Sequence, residues 1–265
     1  MGTNHDHRNV FEPVHSMPVN ELAGFPHTLE DSPAVSALRG KLDYASLMDL
    51  AAALCRQLRY RDALEVYDMA LVLYPDAREA RLKRAVRLLT SLQVEKAIPE
   101  LKRCRDEGET ADEIGYRLGL SYYYAQRYPE AMEALAEAYP FYDGEMGVAT
   151  MYWHTMAALR YGADPALLHD FREDMDVGHH IAYKFVMSLL TGTLSWDEAC
   201  AKLPDPEIED LDYAMMAYGM AVLAESKGDR ANAEQLIDTI IPRDGFWIGF
   251  GYLAAWNDRN RLKRL

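Results

Sequence analysis

Apolar and small residues recur along this chain at the spacing of an amphipathic helix. In the stretch YRDALEVYDMALVLYPDA, Ala63, Tyr67 and Ala70 are four and then three residues apart, so they share one helix face. Pro75 ends this helix, because proline has no backbone N–H and its ring clashes with the preceding turn. The pattern predicts a helix that presents alanine to a close neighbour.

The same alanine returns at a fixed interval of 34 residues. Successive steps from Ala63 reach Ala97, Ala131, Pro165, Ala199 and Ala233. The exception, Pro165, follows Asp164, and this pair of N-cap and first helical residue predicts a helix that starts a few residues late. A period of 34 is typical of a helical solenoid built from helix-turn-helix repeats.

A second position, twelve residues before each of these, is also small in most repeats. It holds Ala51, Ala85, Gly119, Trp153, Met187 and Ala221. Small residues on both helices of a hairpin let the helix axes approach closely. The pattern therefore predicts an all-α fold in which the fourth and fifth repeats are degenerate. Capping-box patterns at Thr110 and Ser195, and turn glycines at 162, 192 and 228, agree with it.

This arrangement resembles the tetratricopeptide repeat (TPR) family. The family's pattern is matched in full by the first repeat, through Ala51, Ala63, Tyr67, Ala70 and Pro75. The resemblance covers about residues 44–245 and implies a right-handed helical solenoid of about six repeats, which start near residues 44, 78, 112, 146, 180 and 214. A C-terminal capping helix is then predicted for residues 246–265. An N-terminal extension is predicted for residues 1–43; it is partly irregular and has a short helix near 33–40, which begins at Ser32-Pro33.

Composition and charge narrow the classes of partner. The net charge of −14 argues against nucleic acid as the main ligand. The longest apolar run, Ile248 to Trp256, contains two glycines and is shorter than the roughly 20 residues of a membrane span. Three widely spaced cysteines and the lack of a secretory signal predict a cytoplasmic protein without disulfides or a zinc framework.

Candidate chemistry is sparse. The chain has no P-loop, nucleophile elbow or dinucleotide-binding glycine motif, which predicts no catalytic residue and no cofactor. The histidines at 5, 7, 15, 179 and 180 lack the spacing that sharpens a metal site, so no metal is predicted. The acidic run from Glu207 to Asp212 is interpreted as a solvated loop. Basic residues around Lys83 either receive a partner's carboxylate or pair with acidic neighbours.

The resemblance to TPR proteins implies that the first helices of the repeats line a concave groove. Carrying the family's groove positions onto this chain predicts the partner-binding residues Met48, Leu82, Lys83, Val86, Tyr116, Arg117, Leu120, Tyr123, Tyr124, Met151, His154 and Tyr218. Family members that grip a C-terminal carboxylate have Lys and Asn where this chain has Met48 and Ala52, so that binding mode is not implied. We expect a non-catalytic scaffold or adaptor that binds a protein or peptide in an apolar, aromatic groove.

The sequence leaves two other functions open. The first is an enzyme or enzyme subunit, in which the histidines of an N-terminal arm fold against the groove. The second is a homo-oligomeric assembly component that uses the aromatic residues of the segment 246–265, which otherwise belong to the core. For the tyrosines at 116, 122 and 123, packing between helices is likewise the alternative to lining a groove.

Overall fold

The protein is helical throughout the part that the computed structural model describes, which is residues 30–178, 181–203, 205 and 207–262. No strand occurs in these ranges, and the expectation of an all-α fold is confirmed there. The α-helices are α1 Pro33–Leu38, α2 Tyr44–Arg56, α3 Tyr60–Leu73, α4 Arg78–Thr90, α5 Val94–Asp106, α6 Ala111–Tyr124, α7 Tyr128–Ala138, α8 Gly144–Tyr161, α9 Ile181–Thr191, α10 Trp196–Lys202, α11 Asp210–Ser226, α12 Arg230–Ile240 and α13 Phe250–Leu262. Short 3₁₀ helices span Tyr139–Phe141 and Ala166–Asp170.

The chain divides into two compact units, with the boundary between Glu109 and Thr110. In the N-terminal unit each of the helices α1 to α4 packs against the next helix along the chain. Ser32 and Asp43 cap α1 and α2, since their side-chain oxygens accept the N–H of Val35 at 3.3 Å and of Ser46 at 3.0 Å. The core between the first helices is aliphatic with one buried tyrosine, Tyr67.

The recurring alanines are buried, as expected for contact points between helices. Each of those at 63, 97, 131, 199 and 233 is at most 1 % exposed. The helices α6 and α7 approach closely, since a Cβ atom added to Gly119 would lie 2.4 Å from Leu135 Cγ. A larger side chain at this position would push the two helices apart.

The turns inside the helix pairs share one backbone conformation. Leu58, Leu92 and Gln126 have φ angles of 59°, 57° and 60°, and they are 34 residues apart. In the last three pairs glycine occupies the corresponding left-handed position, at Gly162, Gly192 and Gly228. The prediction that these glycines lie in turns is confirmed. A residue with a left-handed backbone therefore follows the first helix at six places in the described residues, and at the first three of them it carries a side chain.

Three local predictions from helix-start signals have different outcomes. At Ser195 the capping box is present, with the side chains of Ser195 and Glu198 each bonded to the other's backbone N–H. At Thr110 the side chain makes no capping hydrogen bond. The prediction of an α-helix after Asp164-Pro165 is wrong, because only the 3₁₀ helix Ala166–Asp170 forms there. The following stretch, FREDMDVG, is too rich in charge to offer an apolar helix face.

The C-terminal unit contains α6 to α13, and two of its helices are buried along most of their length. Residues 147–158 of α8 and 213–224 of α11 are buried at every position. A helix that is apolar on all sides needs neighbours on all sides, and α11 accordingly packs against α8, α9, α12 and α13. Among the described residues, no helix is both long and apolar enough to cross a membrane.

Candidate functional site

The last helix of the C-terminal unit, α13, lies on a face that α6, α8 and α11 supply. The Tyr124 hydroxyl donates to the Phe250 carbonyl at 2.9 Å, and the Asn257 side chain donates to the Tyr124 carbonyl at 2.8 Å. The backbones of α13 and α11 approach closely at Gly251, where an added Cβ atom would lie 2.9 Å from backbone atoms of Ala214 and Met215. Glycine is required at this position by that approach.

A buried polar chain fixes α13 on this face. The Tyr123 and Tyr218 hydroxyls are 2.7 Å apart, and the Tyr218 hydroxyl donates to Asp258 Oδ2 at 2.7 Å. Arg160 donates to the same oxygen at 2.5 Å and lies 3.1 Å from Glu225. The side chains of Arg160 and Asp258 are 3 % and 5 % exposed, so this ion pair is sheltered from solvent. Burial raises the pKa of Tyr218, with Asp258 adding to the effect, so this hydroxyl stays protonated and donates.

An open cleft of about 580 Å³ lies beside the N-terminal end of α13. Residues of α6, α8, α9 and the start of α11 form its walls, and the turn before α13 closes one side. The lining residues are Tyr116, Glu145, Met146, Ala149, Ala182, Tyr183, Glu209, Leu211, Asp212, Met215, Phe246, Ile248, Gly249 and Phe250. Most of this surface is apolar or aromatic. Phe246 and Met146 remain 39 % exposed each, so large apolar groups face solvent at the opening.

The polar groups of the cleft are carboxylates and tyrosine hydroxyls. Glu145, Glu209 and Asp212 line it, and none of the described residues that line it is basic. Burial raises the pKa of Tyr183 to about 12, and the charges of Glu145 and Asp212 act in the same direction. Those two carboxylates therefore lie within electrostatic reach of one hydroxyl, which stays neutral at physiological pH. The Tyr183 and Tyr116 hydroxyls also hydrogen bond to each other.

The turn between α12 and α13 is fastened to the first turn of α11. Asp210 accepts hydrogen bonds from Arg243 Nε at 2.8 Å and from the Gly245 N–H at 3.0 Å. The guanidinium of Arg243 also stacks 3.9 Å from the centre of the Tyr213 ring. A side chain at 245 would collide with Asp210, since its Cβ atom would lie 2.2 Å from Oδ2. These contacts hold Phe246 and Ile248 at the edge of the cleft.

Asp244, in the same turn, is buried beside this ion pair. The residue is 4 % exposed, and burial, reinforced by the charge of Asp210, raises the pKa of its carboxyl to about 6. Its Oδ2 atom has no hydrogen-bond partner. The turn beside the cleft therefore contains a carboxyl group that changes charge close to neutral pH.

The structure places the predicted groove residues of the C-terminal unit mostly in its interior. Leu120, Tyr123, Tyr124, Met151, His154 and Tyr218 are each at most 4 % exposed. Of the eight predicted residues in this unit, Tyr116 lines the cleft, and half-buried Arg117 donates to the Glu113 carbonyl. The rings of Tyr123 and Tyr124 pack on Trp153, with centroids 5.1 Å and 6.0 Å away. For Tyr123 the burial supports packing between helices, which the sequence leaves as the alternative, and Tyr124 is buried to the same extent.

The four predicted residues of the N-terminal unit are more accessible. Met48 is half-buried against the core, Leu82 and Val86 are half-buried on α4, and Lys83 is exposed with its Nζ atom 3.4 Å from Glu79. The basic residues near Lys83 are largely paired within the unit. Arg81 bonds to Glu107, and Arg84 contacts Asp68 at 2.6 Å and Glu100 at 3.0 Å. Pairing with acidic neighbours is thus the interpretation that the contacts support.

Sequence reasoning misses the acidic side of the cleft. It predicts a solvated loop for the run from Glu207 to Asp212, yet Glu209 and Asp212 line the cleft and Asp210 fastens the turn. A signal is present, because Glu209 and Asp212 are three residues apart at a helix start and so share a face.

The aromatic stretch after residue 245 belongs largely to the core, since Trp247, Tyr252 and Trp256 are at most 3 % exposed. Core packing is one of the two roles that the sequence leaves open for this stretch.

Compared with models of known protein families and with curated proteins, the chain has no match. Within the described residues no group of three or more His, Cys, Asp or Glu side chains is arranged to hold a metal ion. The histidines at 5, 7, 15, 179 and 180, which are the metal-ligand candidates of the sequence, lie outside the described residues. The three cysteines are free thiols, and Cys104 is buried.

Proposed function

We propose that this protein is a non-catalytic scaffold of the TPR type, which binds a protein or peptide segment in the cleft of its C-terminal unit. The observation that carries the proposal is the cleft itself, an opening of about 580 Å³ with apolar and aromatic walls from four helices and one turn. This volume falls in the range of about 300–1,000 Å³ that is usual for ligand sites. Its apolar rim, at Met146 and Phe246, is the kind of surface that a partner covers.

The TPR part of the proposal, including a right-handed solenoid of about six repeats, rests on recurrence. Buried alanines return every 34 residues, and the left-handed turn residues Leu58, Leu92 and Gln126 follow the same period. The proposed site differs from the family's full groove, because α13 covers Tyr124 and Tyr218. Binding is therefore assigned to the part of the helix face that α13 leaves open, which retains Tyr116 from the predicted groove.

A selection from a displayed library of random twelve-residue peptides tests this function. The bait is the full chain, compared with a double variant that removes the apolar rim, Met146→Ala with Phe246→Ala. The control variant, Phe141→Ala with Tyr161→Ala, removes two large apolar groups of the same unit that are still more exposed and do not line this cleft. We expect peptides that bind the full chain and the control equally and the rim variant at least tenfold more weakly, as for the loss of central anchors. Peptides that bind all three baits alike would contradict the assignment to the cleft.

A further inference from the structure

We propose that the protonation of Asp244 controls the position of the turn between α12 and α13, so that the cleft holds its ligand more tightly at mildly acidic pH than above neutrality. The inference rests on the proposed function and adds the regulation of the site to it. It comes from the geometry of this turn, which buries the Asp244 side chain and also supplies Phe246 and Ile248 to the cleft.

The turn is hydrogen bonded along its length, so a movement at Asp244 reaches the cleft. The Trp247 N–H donates to the Asp244 carbonyl at 3.2 Å, and the Gly249 N–H donates to the Phe246 carbonyl at 2.9 Å. Gly249 also lies tightly against α11, since an added Cβ atom would be 2.8 Å from Leu211 Cδ1. A rotation that brings the Asp244 side chain out to solvent therefore displaces Phe246, which lines the cleft.

Asp244 lies among acidic groups on the elements that hold the turn. The charged residues there are the four carboxylates of the run from Glu207 to Asp212, Asp238 in the last turn of α12, and Arg243, whereas the first two turns of α13 carry none. Arg243 donates to Asp210, and Asp238 lies 3.7 Å from Arg259. Burial, reinforced by the charge of Asp210, raises the pKa of the Asp244 carboxyl to about 6.

The neutral form of Asp244 therefore favours the turn as it stands. Its Oδ2 atom is buried and has no hydrogen-bond partner among the described residues, so a charge there is poorly stabilised. As the pH rises through 6, that charge appears beside Asp210, and moving it into solvent becomes favourable. The cleft then loses the wall that Phe246 and Ile248 form. The difference between pKa values of 3.8 and about 6 limits the effect to roughly a hundredfold.

Backbone amide exchange of residues 243–250, measured by mass spectrometry on the full chain, reports the movement of the turn. Asp244→Asn is the comparison, because its side chain stays neutral, and intrinsic exchange rates are the same at each pH outside the substituted site. We expect equal exchange at pH 5 and at least threefold faster exchange of the unsubstituted protein at pH 8. The control Asp197→Asn neutralises an exposed carboxyl of the same unit that does not line the cleft, and it should behave as the unsubstituted protein does.

The affinity of a peptide reports the effect on the cleft. The probe is a peptide recovered in the library selection at pH 5 that depends on Met146 and Phe246, contains no histidine and has a blocked N-terminus. We expect the unsubstituted protein and Asp197→Asn to bind it at least threefold more tightly at pH 5 than at pH 8. Asp244→Asn should bind it with nearly the same affinity at both. The other carboxylates of the cleft are present in all three proteins, so the comparison isolates Asp244.

The outcomes separate this regulation from the function on which it rests. Equal amide exchange of the unsubstituted protein and Asp244→Asn at pH 8 would overturn the regulation alone, as would an affinity that changes with pH to the same extent in both. If no peptide depends on the rim residues, the proposed function fails and the regulation of binding fails with it. Circular dichroism at both pH values shows whether any difference comes from unfolding.

Discussion

The two units of this chain differ in how deeply their most buried ion pairs are enclosed. In the N-terminal unit the ion pairs are open to solvent on at least one side, as in the pair of Arg84 with Asp68, whose side chain is 55 % exposed. In the C-terminal unit Arg160 and Asp258 form a pair that is almost entirely buried, and two tyrosine hydroxyls extend it. Exposed pairs contribute little to stability, whereas a buried pair is costly to break.

This difference accompanies a difference in the regularity of the sequence pattern. Helix pairs α2–α3 and α4–α5 both carry buried small residues at the recurring positions, and even the buried cations of this unit, Arg59 and Arg81, pair with carboxylates that are 23–29 % exposed. In the C-terminal unit Trp153 and Met187 replace a small residue, and a 3₁₀ turn replaces a helix. Larger side chains at a crossing hold two helices further apart. The helix α13, the buried polar chain and the cleft all lie in this less regular part of the chain.

Breaking the buried pair is expected to have the largest effect. Asp258→Ala leaves the guanidinium of Arg160 buried with Glu225 as its remaining carboxylate, so the C-terminal unit should lose about 3 kcal/mol of stability. All four tryptophans belong to this unit, at 153, 196, 247 and 256, so their fluorescence reports its unfolding in denaturant selectively. The midpoint seen by fluorescence should fall.

The matched change in the N-terminal unit is Asp68→Ala, which removes the exposed partner of Arg84. We expect a loss below about 0.5 kcal/mol, measured by far-ultraviolet circular dichroism because this unit has no tryptophan. If Asp68→Ala destabilises the protein as much as Asp258→Ala, the contrast between the two units is wrong.

A second prediction concerns the close approach of α13 to α11. Gly251→Ala should destabilise the C-terminal unit by about 2 kcal/mol, because the added Cβ atom would meet backbone atoms 2.9 Å away that cannot rotate aside. Gly147→Ala is the control, since it makes the same change in a helix of the same unit but its added Cβ atom would lie 3.3 Å from the Tyr142 carbonyl oxygen. Tryptophan fluorescence during urea unfolding measures both. Equal effects would mean that helix propensity, rather than the approach of α13, controls this position.

The sequence allows the helices and their contacts to be predicted where the pattern is local. The packing of Ala63 and Ala97 is predictable because a small residue that returns at a fixed period is typical of a close helix crossing. The cover over Tyr124 is not predictable, since it comes from Asn257, 133 residues further along the chain. The role of Glu209 and Asp212 is missed for another reason. A run of acidic residues has the same composition in a solvated loop and at a helix start that faces a cleft.

A third prediction uses the raised pKa of Asp244. A carboxyl whose pKa rises from 3.8 to about 6 on folding favours the folded state at low pH, and this contribution is lost as the pH rises through 6. Asp244→Asn removes the charge, so it should raise the stability of the C-terminal unit at pH 8. We expect about 1–2 kcal/mol, because the amide that replaces the charge is itself a buried polar group. The difference from the unsubstituted protein should shrink on acidification from pH 8 to pH 4, as measured by thermal unfolding. A constant difference across this range would exclude the titration of Asp244 as its cause.

The smallest expected effect tests the strained turns that the first three helix pairs share. Gln126 is exposed and has a φ angle of 60°, whereas Gly228 occupies the corresponding turn of the last pair without a side chain. Gln126→Gly should relieve the left-handed strain and stabilise the protein by about 0.5 kcal/mol, since the greater entropy of glycine in the unfolded chain offsets part of the gain. Gln126→Ala keeps a Cβ atom and should change stability little, which makes it the control in urea unfolding.

Leu92→Gly should instead destabilise the N-terminal unit. Leu92 has a φ angle of 57° but is only 3 % exposed, so the substitution removes a buried apolar side chain. A gain from glycine at both positions would mean that these turns store more strain than packing can offset.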